Sequence, residues 1–377
     1  MKNIKKPTIT ARTKHIALVL TWQCNLSCIY CYEKFKSRGK LMSLDTAQEI
    51  IRKEVLQRND NNDNYRIKLE LFGGEPLLRF KFIKELSSWI WAQDFSSYID
   101  VFVTSNGTLL DDEKQQWFYD NRMRIQLILS VDGSESMQKV NRGCDLNNIP
   151  IEFFRETWPN SYLKSTISKK TISNFADGII YLLNSGYKVS ANIAVGEEWS
   201  DADVVAYEKG LEKIANYYLT HEEIEPMPIF RKIYSGILES QTNTMRCGAG
   251  KTLIVYDING DAFPCHYFLP ISLGHTEFKK REEWLNISKI DKTCKSCKIF
   301  SICKPCYGNN YARFHAFGKW DKSSCNMQLV QAKVITAFQV KYYLQICKKR
   351  ELTNNELYAL DVAVNCYEYC SKIDKIK

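Results

Sequence analysis

The first two hundred residues alternate between two patterns of apolar and polar positions. Runs suited to β-strands, apolar throughout or alternating with polar residues, span 15–22, 66–72, 99–106, 125–132, 161–167 and 188–195. Between most of them, apolar residues fall at helical spacing. These stretches are 43–58, opened by Ser43 as an N-cap, then 80–91, 111–120 and 171–184, the last closed by Gly186. Strands alternating with helices predict parallel β/α units, and six of them fall short of a closed eight-stranded barrel. From about residue 230 the alternation stops, and Cys, Gly and Pro punctuate short segments as far as Cys325. From Met327 the pattern is helical again and ends Lys-rich. The expected fold class is α/β: a partial (β/α)6 TIM-like barrel over 1–230, a small Cys-rich domain over 231–326 and a helical tail over 327–377.

Composition narrows the setting. With 45% hydrophobic and 25% charged residues, the chain resembles ordinary globular proteins. No apolar run reaches membrane-spanning length, and the opening MKNIKKPTITARTK is basic without the apolar core of a secretory signal. The expected compartment is the cytoplasm, with neither a membrane nor a nucleic acid as partner. Thiols stay reduced there, so fourteen cysteines at short spacings read as metal ligands and not as disulfides. The net charge of +9 is spread along the chain; it reads as a solvated surface or as a match for an acidic peptide or electron-donor protein.

The chemistry-bearing residues stand where strands end. Cys24, Gly73–Glu75, Ser105–Asn106 and Ser130–Asp132 each follow an apolar run. In β/α barrels the C-terminal strand ends form the active-site face, so these groups should converge. Cys24, Cys28 and Cys31 form C-x3-C-x2-C. Three thiolates on a short loop can hold three irons of a [4Fe–4S] cube and leave the fourth iron open. A zinc site would want a fourth N or S ligand, and none stands at the usual spacing.

This motif, with the aromatic Tyr30 just before its third Cys, resembles the radical S-adenosylmethionine (SAM) superfamily. The segment Gly73-Gly74-Glu75-Pro76 is similar to the family's Gly-Gly-Glu motif, which contacts the SAM amino group. There the glycines would let the backbone approach the ligand, and Glu75 would accept from the ammonium. The resemblance places Ser105, Asn106 and Ser130 at the ribose and methionine portions of SAM and Tyr30 near its adenine. Arg142 would meet the SAM carboxylate or a substrate group. It further implies an electron donor such as flavodoxin or ferredoxin, and a 5′-deoxyadenosyl radical that takes hydrogen from an unactivated C–H bond.

Seven later cysteines, Cys247, Cys265, Cys294, Cys297, Cys303, Cys306 and Cys325, with Gly260 five positions before Cys265, resemble the SPASM domain. That domain binds two auxiliary [4Fe–4S] clusters, which would make three clusters in all. Cys303-x2-Cys306 is one residue shorter than the family pattern. The resemblance assigns Cys247, Cys265 and Cys306 to the first auxiliary cluster and Cys294, Cys297, Cys303 and Cys325 to the second. The first is then one ligand short, because 248–264 contains no Cys. Either the site is open, or Cys144, Cys347, Cys366 or Cys370 closes it. Cys366 and Cys370, at i and i+4 on a helical pattern, read as ordinary packing. Two zinc sites are the alternative use of these cysteines.

The segments RCGAG (246–250) and PCHYF (264–268) look like those of ribosomal-peptide maturases. The expected function is therefore a radical SAM maturase installing a thioether or carbon–carbon cross-link in a precursor peptide. Only about fourteen residues precede the first strand, so leader recognition falls to the barrel, the tail or a separate leader-binding protein. One alternative is an anaerobic sulfatase-maturing enzyme, which makes formylglycine. Those enzymes carry an Asp base directly after the second SPASM Cys. Here that residue is His266, a candidate base or a packed imidazole. An iron–sulfur carrier or zinc scaffold is the alternative from another class.

Overall fold

The computed structural model describes residues 12–60, 65–238, 247–274, 294, 297–303, 306–316 and 322–376. Most of the basic opening segment, residues 1–11, lies outside them. Six strands form where the pattern placed them: β1 Thr13–Val19, β2 Arg66–Phe72, β3 Ile99–Ser105, β4 Ile125–Leu129, β5 Tyr162–Ile167 and β6 Lys188–Ile193. β1 to β4 run parallel side by side, β5 pairs in parallel with β6, and a bridge from Ser130 to Lys164 joins the two groups.

On its other side β1 pairs in parallel with β7 Leu253–Tyr256, which is followed by the antiparallel β8 Ala262–Phe263. The sheet order is β4-β3-β2-β1-β7-β8. The Cys-rich region thus begins by extending the barrel sheet, which the pattern did not reveal. Four apolar residues between Thr252 and Asp257 carry too little periodicity to declare a strand. β1 occupies the middle of the sheet, and Ile16 to Leu20 are at most 1% exposed. A parallel strand covered on both faces reads as a continuous apolar run for this reason. Burying each Ile or Leu contributes about 1.5–3 kcal/mol.

The barrel helices are α1 Leu44–Asp60, α2 Phe80–Trp91, α3 Asp112–Asp120, α4 Glu135–Arg142, α5 Ile151–Thr157, α6 Phe175–Asn184 and α7 Asp201–Thr220. α7 opens with a capping box between Ser200 and Asp203. Then come α8 Pro270–Leu273, α9 Tyr307–Phe314, α10 Lys322–Cys347 and α11 Asn354–Ser371. α10 starts before Met327, and it packs on both α7 and α11. Fully buried Tyr207 of α7 donates to Gln331 of α10 at 3.0 Å, and Phe338 of α10 closes edge-on against Phe230. The tail is therefore fastened to the last barrel helix.

Candidate active site

The cysteine loop leaves β1 through Thr21 and Gln23. Their carbonyls accept from Gly74 N–H at 2.9 Å and Glu75 N–H at 2.8 Å. A Cβ on Gly74 would lie 2.2 Å from the Gln23 carbonyl oxygen, and one on Gly73, at φ +138°, 2.5 Å from that of Thr21. Both glycines are needed where the Gly-Gly-Glu turn presses on the cysteine loop, so the close approach is backbone to backbone. Glu75, 1% exposed, accepts from Leu77 N–H (3.0 Å), Ser105 Oγ–H (2.8 Å) and Asn106 N–H (2.9 Å). These bonds tie the turn to the end of β3. One acceptor position is left on the carboxylate, on Oε2.

Asp132, fully buried, is a second hub. It accepts from Arg142 Nη2 and Thr166 N–H, each at 2.9 Å, and from the Tyr30 hydroxyl at 2.6 Å. Arg142 also lies over the Tyr30 ring, 5.5 Å from its centre. Burial alone would lower the Arg142 pKa, but Asp132 and Tyr30 outweigh it and hold the guanidinium charged. Its Nε has no partner among the described residues. Arg142 arrives on α4, a helix whose buried side is polar: Gln138 and Asn141 are fully enclosed, and Gln138 accepts from Asp132 N–H at 2.9 Å.

Cys24, Cys28, Cys31, Tyr30, Gly73, Gly74, Glu75, Ser105, Asn106, Ser130 and Arg142 all line one cavity of about 260 Å³. Burial pushes all three thiols up, that of Cys28 to about 11. Binding to iron, which takes the thiolate, would relieve that penalty. Among the described residues no three His, Cys, Asp or Glu groups converge on a point that a single ion could fill. The donor set, three half-buried thiols on one loop facing an open space, fits a cluster with an open iron better than one zinc.

The cavity contains residues that the strand-end motifs did not announce. Lys164 and Thr166 reach it from β5, Asn192 to Val195 from the end of β6, and Tyr267 from the Cys-rich region. Glu33, two residues past the third Cys, is 6% exposed, and its Oε1 has no hydrogen-bond partner among the described residues. Burial pushes it up to about 8, with Lys36 opposing. His266 does not line the cavity. It approaches Glu70 Oε2 at 3.5 Å, opposite His15 at 2.9 Å, and packs edge-on to Phe72. Burial works against the Glu70 charge, but the two imidazoles hold its carboxyl well below the usual range. Tyr267 takes the cavity-facing place beside Tyr32, ring centres 4.5 Å apart.

Beyond β6 lies a second cavity of about 670 Å³, lined by Cys303, Cys306 and Cys325 and sharing the wall Asn192–Val195 with the first. Burial pushes both Cys265 and Cys306 up; Cys306 and Cys247 add to the first and Cys247 to the second, so these three thiols are neighbours, and Cys306 reaches about 11. Cys144, Cys347, Cys366 and Cys370 line neither cavity. The Cys144 sulfur accepts from Gln138 at 3.5 Å, Cys347 is exposed, and the buried Cys366 and Cys370 thiols face each other at 3.9 Å.

Residues 18–209, more than half of the chain, match the radical SAM superfamily. The chain belongs to that superfamily; it is an enzyme, and SAM is its cofactor. The Cysteine-type anaerobic sulfatase-maturating enzyme of Clostridium perfringens is 21% identical over 316 residues, covering 74% of this chain and 85% of that protein. The uncharacterized protein MJ0907 of Methanocaldococcus jannaschii is 33% identical over 122 residues, 32% of this chain and 40% of its own length. Among solved structures, native anSMEcpe with bound AdoMet and Cp18Cys peptide superposes with a TM-score of 0.66 at 19% identity, covering 90% of this chain and 99% of that one. Streptococcus suis SuiB bound to precursor peptide SuiA gives 0.57 at 17%, covering 83% and 76%. The fold is shared with both: an α/β barrel, a Cys-rich region and a helical tail. Among the described residues no helix is long and apolar enough to cross a membrane.

Proposed function

We propose that this enzyme is a peptide maturase that installs a thioether or carbon–carbon cross-link. The observation that carries the reading is the wall Asn192–Val195, common to the cavity of the SAM loop and the cavity of the later cysteines. A peptide segment held against that wall would meet both sites at once. That solved neighbours hold peptides is consistent with such a substrate. On this reading 1–230 is the radical SAM barrel, 231–326 the SPASM domain and 327–377 the tail. Cys24, Cys28 and Cys31 would hold the SAM cluster. Cys247, Cys265 and Cys306 would hold one auxiliary [4Fe–4S] cluster, and Cys294, Cys297, Cys303 and Cys325 the other.

SAM bound at the first cluster supplies the hydrogen-abstracting chemistry. The chain's own residues then orient and shield. The Asp132 hub fixes Arg142 and Tyr30 around one end of the cavity, Glu75 secures the Gly-Gly-Glu turn, and Tyr32 and Tyr267 form an apolar flank that excludes water. A second reading, formylglycine formation in a sulfatase, is supported by the length of the match to the sulfatase-maturating enzyme. Against it stands His266, which follows Cys265 but turns to Glu70 and away from the cavity.

The test uses anaerobically reconstituted enzyme, SAM and a reductant. One arm offers the short peptide encoded beside its gene, the other a Cys-containing sulfatase segment. Mass spectrometry showing loss of two hydrogens from the first peptide supports cross-linking. Conversion of the sulfatase Cys to an aldehyde with the first peptide untouched overturns it in favour of the second reading.

A further inference from the structure

Asn310 lies on α9, one turn beyond Cys306, and its N–H donates to the Cys306 carbonyl at 3.1 Å. Cys306 is the N-cap of this helix, and Asn310 stands one turn into it. Both line the 670 Å³ cavity with Cys303 and Cys325. Asn310 is 2% exposed, and its side-chain amide nitrogen has no hydrogen-bond partner among the described residues. Gln331, on the opposite wall, is held from behind: it accepts from Tyr207 and donates to Tyr234. The buried amide of Asn310 is therefore the exception that calls for a partner.

We propose that the Asn310 side-chain amide donates a hydrogen bond to a sulfur of the auxiliary cluster ligated by Cys306. The proposal rests on the reading that this cysteine set holds iron–sulfur clusters. Cluster sulfides and cysteine thiolates are anionic acceptors, so an amide N–H suits them where a carboxylate would not. Which end of a carboxamide faces an acceptor is set by that acceptor, and turning the group over requires no movement of the chain. A donor at a cluster sulfur stabilises the extra negative charge of the reduced state and so raises the reduction potential. An auxiliary cluster tuned in this way takes up an electron more readily from the substrate side of the Asn192–Val195 wall.

The full chain carrying Cys24→Ala, Cys28→Ala and Cys31→Ala is reconstituted with iron and sulfide, so that only auxiliary clusters remain. Its Asn310→Leu and Asn310→Asp derivatives are then compared by potentiometric titration followed by electron paramagnetic resonance. Asn310→Leu should lower the reduced fraction at a fixed potential roughly tenfold, a shift of about 59 mV for one electron. Asn310→Asp, nearly the same shape but anionic, should shift it further in the same direction. An unchanged midpoint in Asn310→Leu overturns the proposal, whatever the Asp variant does, because charge alone would move the latter. If Asn310→Leu fails to keep its iron, Asn310→Ala takes its place with the same lowering expected and the same refutation. A parent protein that takes up no auxiliary iron removes the cluster reading itself and the proposal with it.

Discussion

Glu75→Gln replaces a carboxylate by a carboxamide of the same shape, and the structure sets the size of the effect. The carboxamide oxygen is best placed at the Oε1 position, where it serves both Leu77 N–H and Ser105 Oγ–H. Its NH2 then faces the N–H of Asn106, which loses the acceptor it has on Oε2. A buried N–H left without a partner costs ~1–3 kcal/mol. The two surviving bonds fall from charge-assisted to neutral, about 1 kcal/mol each. Part of this is returned, because burial raises the Glu75 pKa and removing the charge removes that penalty. The net loss is ~2–4 kcal/mol. These bonds fasten the Gly-Gly-Glu turn to β3, so the loss belongs to the protein before any ligand binds. Thermal or urea unfolding of SAM-free protein should register it, and the dissociation constant for SAM should rise alongside. A variant with wild-type unfolding behaviour refutes the reasoning, whatever its SAM affinity, because the three bonds would then not be holding the turn.

Three further outcomes follow from the same site. The triple change Cys24→Ala, Cys28→Ala, Cys31→Ala should abolish 5′-deoxyadenosine production while iron analysis still finds auxiliary iron; continued production removes the loop from the chemistry. Asp132→Asn leaves the buried Arg142 cation without its counter-charge, which costs ~3–5 kcal/mol, and calorimetry should show the loss together with weakened SAM binding. Burial pushes the Glu33 carboxyl up to about 8, above the ordinary carboxylate range it has in the unfolded chain, so its contribution is fully present at low pH and lost as pH rises through about 8. Cluster-free protein should therefore lose at most ~5 kcal/mol of stability between pH 5 and 8, and Glu33→Gln should flatten that slope. Urea titrations at a series of pH values check it, and a wild-type profile already flat rules it out.

Much of the architecture was written in local patterns. A parallel strand buried on both faces must be apolar almost throughout, which announced β1; β3 to β6, covered more on one face, showed themselves by alternation, and α1, α2, α3 and α6 by their helical spacing. The cysteine loop and the Gly-Gly-Glu turn were legible because their short motifs resemble those of the superfamily. α4 was not legible, since it buries Gln138 and Arg142 toward Asp132 and Asn141 toward Thr166 and Ser168, and so has no apolar stripe. β7 was not legible either, because four residues become a strand only when β1 offers an open edge. Side-chain direction also lay beyond the sequence. Cys265-His266-Tyr267 left His266 as either a base or a packed imidazole, and the short turn after Cys265 sends it to Glu70 and gives the cavity to Tyr267. The motifs thus determined which chemistry the chain carries. Only tertiary packing decided which buried polar atoms, Glu33 Oε1 and Asn310 Nδ2 among them, have no partner among the described residues, because a partner is defined by what other elements bring and not by the residue itself.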